Sequence, residues 1–366
     1  MTSVNPFKFG TIVDDPYFID RKDEIKQVRS VLSSPNHLIL ISPRRYGKSS
    51  LIYKVVNDMN RPVIAIDLQL ITSVDDFAAQ LMKRIYRVYP GERIRQYIKG
   101  FRIIPTLSVN ALTNAVDVSF QPSGQSFLNL EDVLNLLEKL STEKKRCIVV
   151  LDEFQDIMRL DRELDRKLRA VLQVQKNCNY VFLGSQESMI RDLFEKKSSP
   201  FYHFGYLMAL SRIPGKEFTV YLEEKFKNLT AHAEGIAKQI MDFTRCHPYY
   251  TQQLAFSTWE VLHPDAVVEN PVHEGIAGIL KSHDIDYERL WGTFNNTDKK
   301  LLIGMAESDL SPLSDAFIKK YDIGASSTVF SSLKRIIRNG YITKFENRYE
   351  IDDPFFTRWI INRRNE

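Results

Sequence analysis

The chain has 366 residues, 43% of them hydrophobic and 26% charged, which is the composition of a globular protein long enough for two or three domains. Its 50 basic and 46 acidic residues leave a net charge of only +4, so a nucleic-acid-binding surface would have to be local. The three cysteines lie far apart without C-x-x-C spacing, so the sequence indicates neither a disulfide framework nor a zinc site, and no apolar run reaches the ~18 residues of a membrane helix.

The first predicted elements are a strand, a loop and a helix. The apolar run "HLILIS" (37–42) has strand length, and helical spacing begins again at "KSSLIYKVV". Between them, "PRRYGKSS" matches the end of the phosphate-binding pattern Gly-x4-Gly-Lys-Ser/Thr. Ser42 stands at the position of the first glycine, whereas Gly47, where the backbone must approach a phosphate closely, is present. The sequence therefore predicts a phosphate-binding loop at a helix N-terminus.

The residue types of this loop suggest individual roles. Lys48 would neutralise the β- and γ-phosphates of a nucleotide, and the Ser49 hydroxyl would ligate Mg²⁺. Arg44 and Arg45 are compatible with contacts to phosphate or with exposure to solvent. The full set of predicted nucleotide-binding residues in the loop is Ser42, Arg44, Arg45, Tyr46, Gly47, Lys48, Ser49 and Ser50.

Further buried strands alternate with helical segments along the next part of the chain. The apolar strand runs lie at 61–68, 147–154, 180–185 and 204–213. This alternation predicts an α/β fold, with a parallel sheet and helices on both of its faces. Between 107 and 120, apolar and polar residues alternate around a polar turn, which predicts an inserted β-hairpin that covers a sheet edge.

Two adjacent carboxylates end the third core strand, in "IVVLDEFQ". Asp152, at the tip of a buried strand, can hold Mg²⁺ through water, and Glu153 can take a proton from an attacking water as general base. Acidic pairs are common on surfaces but not directly after four buried aliphatic residues. We therefore predict that this pair belongs to the same site as the loop.

The remainder of the chain is helical and ends in a different pattern. Helical segments dominate from Glu217, and the final stretch contains three short helices followed by the alternating hairpin "YITKFENRYEI". Three helices with a two-stranded wing describe a winged helix-turn-helix. We place the predicted domains at 1–213 for the nucleotide-binding core, 214–290 for a helical lid and 291–366 for the winged helix.

The segments "PRRYGKSSL" and "VVLDEFQDI" together resemble the archaeal and bacterial family of predicted ATPases in the AAA+/STAND branch of P-loop NTPases. In that family a serine in place of the first glycine is a familiar variant. The resemblance extends over nearly the whole chain, and it implies a sheet of order 5-1-4-3-2, a helical lid and a terminal winged helix. It also implies that the cofactors are ATP or ADP with Mg²⁺.

The resemblance carries further roles onto single residues. Asp20 and Arg21 match the pair that closes over adenine, although Asp20 equally suits a helix cap. Ser185 stands where the family places a polar residue that senses the γ-phosphate, and Arg212 is a candidate arginine finger. Pro248, next to His247, matches the lid residue that packs on the base, although a proline here also suits a helix start.

Two functions remain compatible with the sequence. The first is a Mg²⁺-dependent ATPase that acts as a nucleotide-driven switch. The second is a nucleotide-binding scaffold or DNA-binding regulator with little or no hydrolysis, which would not require Glu153. Either one leaves room for a protein partner of unknown identity, and we expect a cytoplasmic protein without a membrane partner.

DNA is a second open partner, because one predicted helix of the winged helix carries a short basic stripe. The stripe consists of Ser331, Lys334, Arg335 and Arg338. The wing is mixed in charge, and its Glu346 and Glu350 would repel phosphate. This favours intramolecular packing of the winged helix over DNA binding.

Overall fold

The computed structural model describes residues 4–109, 116–120, 126–263, 268–345 and 348–365. The chain forms two compact units. We call Arg21–Ser42 together with Lys48–Ser211 the sheet unit, and Met1–Asp20, Pro43–Gly47 and Arg212–Glu366 the helical unit. No helix within the described ranges combines the length and the apolar character that crossing a membrane requires.

The sheet unit is built on a five-stranded parallel sheet and also contains a small hairpin. Its strands are β1 (Leu38–Ile41), β2 (Val63–Asp67), β3 (Thr106–Val109), β4 (Val116–Ser119), β5 (Cys147–Asp152), β6 (Cys178–Gly184) and β7 (Tyr206–Ala209). The order in the main sheet is β2-β5-β6-β1-β7, with all neighbours parallel. Numbered along the chain without the hairpin, the five strands stand in the order 5-1-4-3-2.

Helices alternate with these strands, as predicted. They are α1 (Lys22–Ser33), α2 (Lys48–Asn57), α3 (Val74–Val88), α4 (Gly91–Ile98), α5 (Ser126–Leu140), α6 (Ile157–Leu160), α7 (Leu164–Leu172) and α8 (Glu187–Phe194). Every residue of β1 and of β6 is buried, which requires that both faces of the sheet are covered. This explains why these strands read as continuous apolar runs rather than alternating ones.

The predicted hairpin forms as antiparallel β3 and β4, and its turn (110–115) lies outside the described residues. The expected position at a sheet edge is wrong for the part described. Strand β4 packs against α3, where Val118 joins the core and Lys83 Nζ lies 3.1 Å from Asp117 Oδ1. The alternation of the sequence indicated a half-buried hairpin, but it held no information on which element the apolar face would meet.

The helical unit contains the remaining helices and one further hairpin. They are α9 (Gly215–Phe226), α10 (Ala233–Thr244), α11 (Pro248–Leu262), α12 (Pro271–Thr293), α13 (Asn296–Glu307), α14 (Asp315–Tyr321), α15 (Ser326–Arg338), β8 (Ile342–Phe345), β9 (Arg348–Ile351) and α16 (Pro354–Asn365). A separate apolar core runs through this unit, from Phe7 to Ile360.

Helices α13, α14 and α15 with the β8–β9 wing form the predicted winged helix. Val329, Leu333 and Ile336 are buried on one face of α15. Helix α13 approaches α14 so closely that a Cβ at Gly304 would stand 2.5 Å from the ring of Phe317, so only glycine fits there. The wing turn, which includes Glu346, lies outside the described residues.

Candidate functional site

The phosphate-binding loop connects the end of β1 to the start of α2, which begins at Lys48. Arg45 and Gly47 have φ angles of +66° and +89°, in the left-handed region. When residues with left-handed backbone alternate with residues of negative φ, successive backbone N–H groups point towards one side and form an anion-binding concavity. Lys48 is buried, and its Nζ donates to the Ser42 carbonyl oxygen at 2.9 Å, across the base of the loop. Ser50 is buried within the first turn of α2.

The predicted pair of magnesium ligands lies together within the sheet unit. The Ser49 hydroxyl donates to Asp152 Oδ2 at 3.1 Å, and Asp152 is the last residue of β5. Burial raises the pKa of Asp152, and the neighbouring Glu153 carboxylate raises it further, while Lys48 and Ser49 act in the opposite direction. The raised pKa means that the nearby positive charge does not fully offset the burial of this carboxylate. A bound cation would supply the missing positive charge.

The donor set fits Mg²⁺ only in combination with a nucleotide. In the part of the chain that the structure describes, no group of three or more His, Cys, Asp or Glu side chains could hold a metal ion. Mg²⁺ keeps several waters and takes one or two protein oxygens plus phosphate oxygens in nucleotide sites. The pair formed by the Ser49 hydroxyl and the Asp152 carboxylate matches that requirement.

Glu153 is held firmly at the end of the same strand. Its Oε2 accepts from the Ser185 hydroxyl at 2.7 Å and from Gln155 Nε2 at 2.5 Å. Its own backbone is left-handed, with φ +50°, a conformation that costs a non-glycine residue about 1–2 kcal/mol. Sequence reasoning did not single out Gln155, although its place two residues after Glu153 at a strand tip was a usable signal.

The structure gives the two loop arginines different surroundings. Arg44 is exposed. Arg45 Nη1 donates to the Tyr250 hydroxyl at 2.9 Å, and its guanidinium lies 4.6 Å from the ring centre of Tyr249. The sequence had left phosphate or solvent open for Arg45; the side chain is exposed and also packs on the first turn of α11, and a contact with phosphate stays a prediction.

Tyr46 and Arg212 meet within the helical unit. Tyr46 is 1% exposed, and its hydroxyl accepts from Arg212 Nε at 3.3 Å. Arg212 Nη2 also lies 2.8 Å from Glu350 Oε2 on β9. Sequence reasoning missed this use of Arg212, because its acceptor Glu350 lies more than a hundred residues further along the chain.

The adenine-closing candidates Asp20 and Arg21 lie at the start of α1. Arg21, not Asp20, is the N-cap residue, so the helix-cap alternative for Asp20 is wrong. Arg21 is buried, and it donates to Glu24 at 2.8 Å and to the Ser211 carbonyl at 2.7 Å. Asp20 has a left-handed backbone with φ +45°.

Pro248 is the first residue of α11, as the helix-start alternative predicted. His247 caps this helix, with its Nδ1 accepting from the Tyr250 amide at 3.5 Å. Its Nε2 is buried and lies 3.7 Å from Asp352 Oδ1. The contact of Pro248 with adenine stays a prediction.

Two family models match the sequence. One, described as an ATPase domain predominantly from Archaea, matches residues 18–246. The other, described as a probable winged helix domain, matches residues 285–362. No curated protein matches the chain significantly.

Solved structures share the fold over nearly the whole chain. The Walker-type ATPase PABY2304 of Pyrococcus abyssi is 18% identical, with a TM-score of 0.69, over 97% of this chain and 99% of that one. The ORC2 protein of Aeropyrum pernix, in ADPNP and ADP complexes, is 13% identical with a TM-score of 0.57, over 97% and 98%. The Aeropyrum pernix ORC1 protein in complex with DNA is 12% identical with a TM-score of 0.51, over 94% and 93%.

Proposed function

The chain belongs to the family of ATPase domains found predominantly in Archaea, and from that premise we propose that it hydrolyses ATP with Mg²⁺ and acts as a nucleotide-driven conformational switch. The residues assigned to this activity are Lys48 on the phosphates, Ser49 and Asp152 on the ion, and Glu153 as general base. Ser185 and Arg212 keep their proposed roles as phosphate sensor and arginine finger.

One observation carries the proposal. The Ser49–Asp152 contact of 3.1 Å and the Ser185–Glu153 contact of 2.7 Å gather four polar side chains at the carboxyl ends of adjacent strands β5 and β6, beside the start of α2. Ligands of open parallel sheets bind at the carboxyl ends of the strands. A scaffold that only binds nucleotide does not require a carboxylate that Ser185 and Gln155 orient by hydrogen bonds.

Each of these residues would have its own role in the hydrolysis of ATP. Lys48 would balance phosphate charge, while the backbone amides of the loop and of the first turn of α2 orient the phosphates. Bound Mg²⁺ would neutralise charge that develops on the phosphate oxygens. The Glu153 carboxylate would accept a proton from the attacking water, while Ser185 and Gln155, which donate to its Oε2, would hold the group in place for that step.

We expect the purified protein to release phosphate from ATP in the presence of Mg²⁺, and to stop when the ion is chelated. The measurement is phosphate release at saturating ATP, with and without EDTA, and calorimetry shows whether ATP still binds. ATP binding without any phosphate release would favour the scaffold reading over the ATPase.

A DNA-binding regulator is the second candidate, because α15 leaves Lys334 and Arg338 exposed. One member of the predicted basic stripe is exposed but already has its charge paired. Arg335 pairs with the buried carboxylate of Asp298, which also accepts from Ser332. The likeness to the DNA-bound ORC1 protein extends to the fold alone. Three exposed cations on α15, one of them already paired with a carboxylate, are a small electrostatic footprint for nucleic acid.

We therefore expect duplex DNA to bind only weakly, with an affinity that falls steeply as salt rises, because phosphate contacts release counterions. Anisotropy of a labelled duplex at two salt concentrations measures this. The test variant is Lys334→Ala with Arg338→Ala, and Arg335 stays intact because its loss would unpair Asp298. Sub-micromolar binding at physiological salt that this variant loses would support the regulator.

A further inference from the structure

We propose that Arg212 and Glu350 are positioning residues for nucleotide binding, which hold the phosphate-binding loop in shape through the hydroxyl of Tyr46. This assignment rests on the proposed function, because it gives the loop a nucleotide to bind. It extends that function by making the wing of the winged helix part of the support of the loop.

Tyr46 is buried among residues of the helical unit. Its ring lies 4.8 Å from that of His247, edge to face, and 6.4 Å from that of Phe345 on β8, nearly parallel. Burial raises the pKa of Tyr46, while Arg212 lowers it, so the hydroxyl stays protonated. Tyr46 lies between Arg45 and Gly47, the two residues with left-handed backbone.

The guanidinium of Arg212 donates a hydrogen bond from each of its three nitrogens. Its Nε donates to the Tyr46 hydroxyl at 3.3 Å, Nη1 to the Arg245 carbonyl at 3.1 Å, and Nη2 to Glu350 at 2.8 Å. The guanidinium also lies 4.3 Å from the ring centre of Phe345. A planar guanidinium with all three nitrogens engaged is fixed in orientation, and Glu350 supplies the charged acceptor among these contacts, so it helps to set where Arg212 meets Tyr46.

Arg45, one residue before Tyr46, is a second point at which the loop is held. Arg45 is held by Tyr249 and Tyr250 on α11, through a cation–π contact at 4.6 Å and a hydrogen bond at 2.9 Å. Two successive loop side chains are thus held by residues far along the chain. Because a loop fixed before binding loses less conformational entropy when the ligand arrives, these anchors should strengthen nucleotide binding.

The test compares ATP affinity by calorimetry in the full-length wild type, Tyr46→Phe, Glu350→Gln and the double variant. Each single variant should raise Kd about tenfold, because Tyr46→Phe removes the oxygen that accepts from Arg212 Nε, and Glu350→Gln replaces the charged acceptor of Nη2 with a neutral one. The double variant should lose little more than either single one, since both changes act through Arg212. Arg212 itself is left unchanged because it also carries the proposed finger role. Glu288→Gln is the matched control and should leave Kd unchanged. It alters an exposed ion pair in which Glu288 Oε1 lies 2.9 Å from Arg363 Nη2.

A purely structural role is separated from positioning by kinetics and stability. In Tyr46→Phe, which leaves Arg212 and Glu350 intact, positioning raises KM for ATP with kcat and Tm near the wild-type values, whereas general destabilisation lowers Tm. In Glu350→Gln, positioning raises KM with Tm unchanged, and kcat also falls if Arg212 acts as the finger. An unchanged or lower Kd in either single variant, or losses that multiply in the double variant, overturns the proposal.

A second readout does not depend on nucleotide. Amide hydrogen exchange of residues 41–52 in the nucleotide-free protein should become faster in Glu350→Gln and stay unchanged in Glu288→Gln. Equal exchange in wild type and Glu350→Gln overturns the positioning role. If the wild type binds no ATP, the proposed function fails, and this exchange measurement alone decides on the support of the loop.

Discussion

Replacing Lys48 with alanine is expected to abolish or greatly weaken ATP binding. Lys48 is buried, and its Nζ lies across the loop on the Ser42 carbonyl, 2.9 Å away. Removing the cation from a buried charge pair costs about 2–5 kcal/mol or more. That loss corresponds to roughly 30- to 5000-fold in Kd. The backbone amides of the loop and the N-terminus of α2 would remain, and they carry only partial charges.

Calorimetry with ATP and Mg²⁺ measures the change, and Lys54→Ala, at the other end of α2, is the control that removes a lysine from the same helix. An unchanged affinity of Lys48→Ala would mean that another cation holds the phosphates. Arg44 would then be the first residue to test, because Arg45 is engaged by Tyr249 and Tyr250.

The sheet and the core of the site could be predicted because they depend on local patterns. The run 37–42 predicted β1, observed at Leu38–Ile41, since four consecutive aliphatic residues of strand length bounded by a loop suit a strand covered on both faces. The pair Asp152–Glu153 follows such a run directly. The carboxyl ends of parallel neighbouring strands lie at one edge, which brings Ser185 to Glu153.

The partners of long polar side chains could not be predicted, because they depend on tertiary contacts. Arg45 and Tyr250 are separated by 205 positions, and Arg212 and Glu350 by 138. Arg335 appeared as one of three exposed cations on α15, and a spacing argument cannot reveal the buried Asp298 beneath it. Periodicity reports which face of a helix is apolar, but it does not report which ion pairs form at the margin of that face.

Replacing Glu153 with glutamine is expected to lower ATP turnover by about 10²–10⁴-fold if the side chain is the general base. Glutamine keeps a side-chain oxygen that can accept from Ser185 and Gln155, so the geometry around the strand end should persist. Asp152 and Ser49 are untouched, and ATP should bind with an affinity close to that of the wild type.

Single-turnover phosphate release with bound ATP separates the chemical step from binding, with calorimetry on the same samples. Glu163→Gln, an exposed carboxylate of the same unit just before α7, is the matched control and should leave both measurements unchanged. An undiminished rate in Glu153→Gln would contradict the assigned base. Unchanged ATP binding together with lost turnover would identify an ATPase. A scaffold does not hydrolyse ATP, so the change of one side-chain oxygen to nitrogen could not lower its turnover.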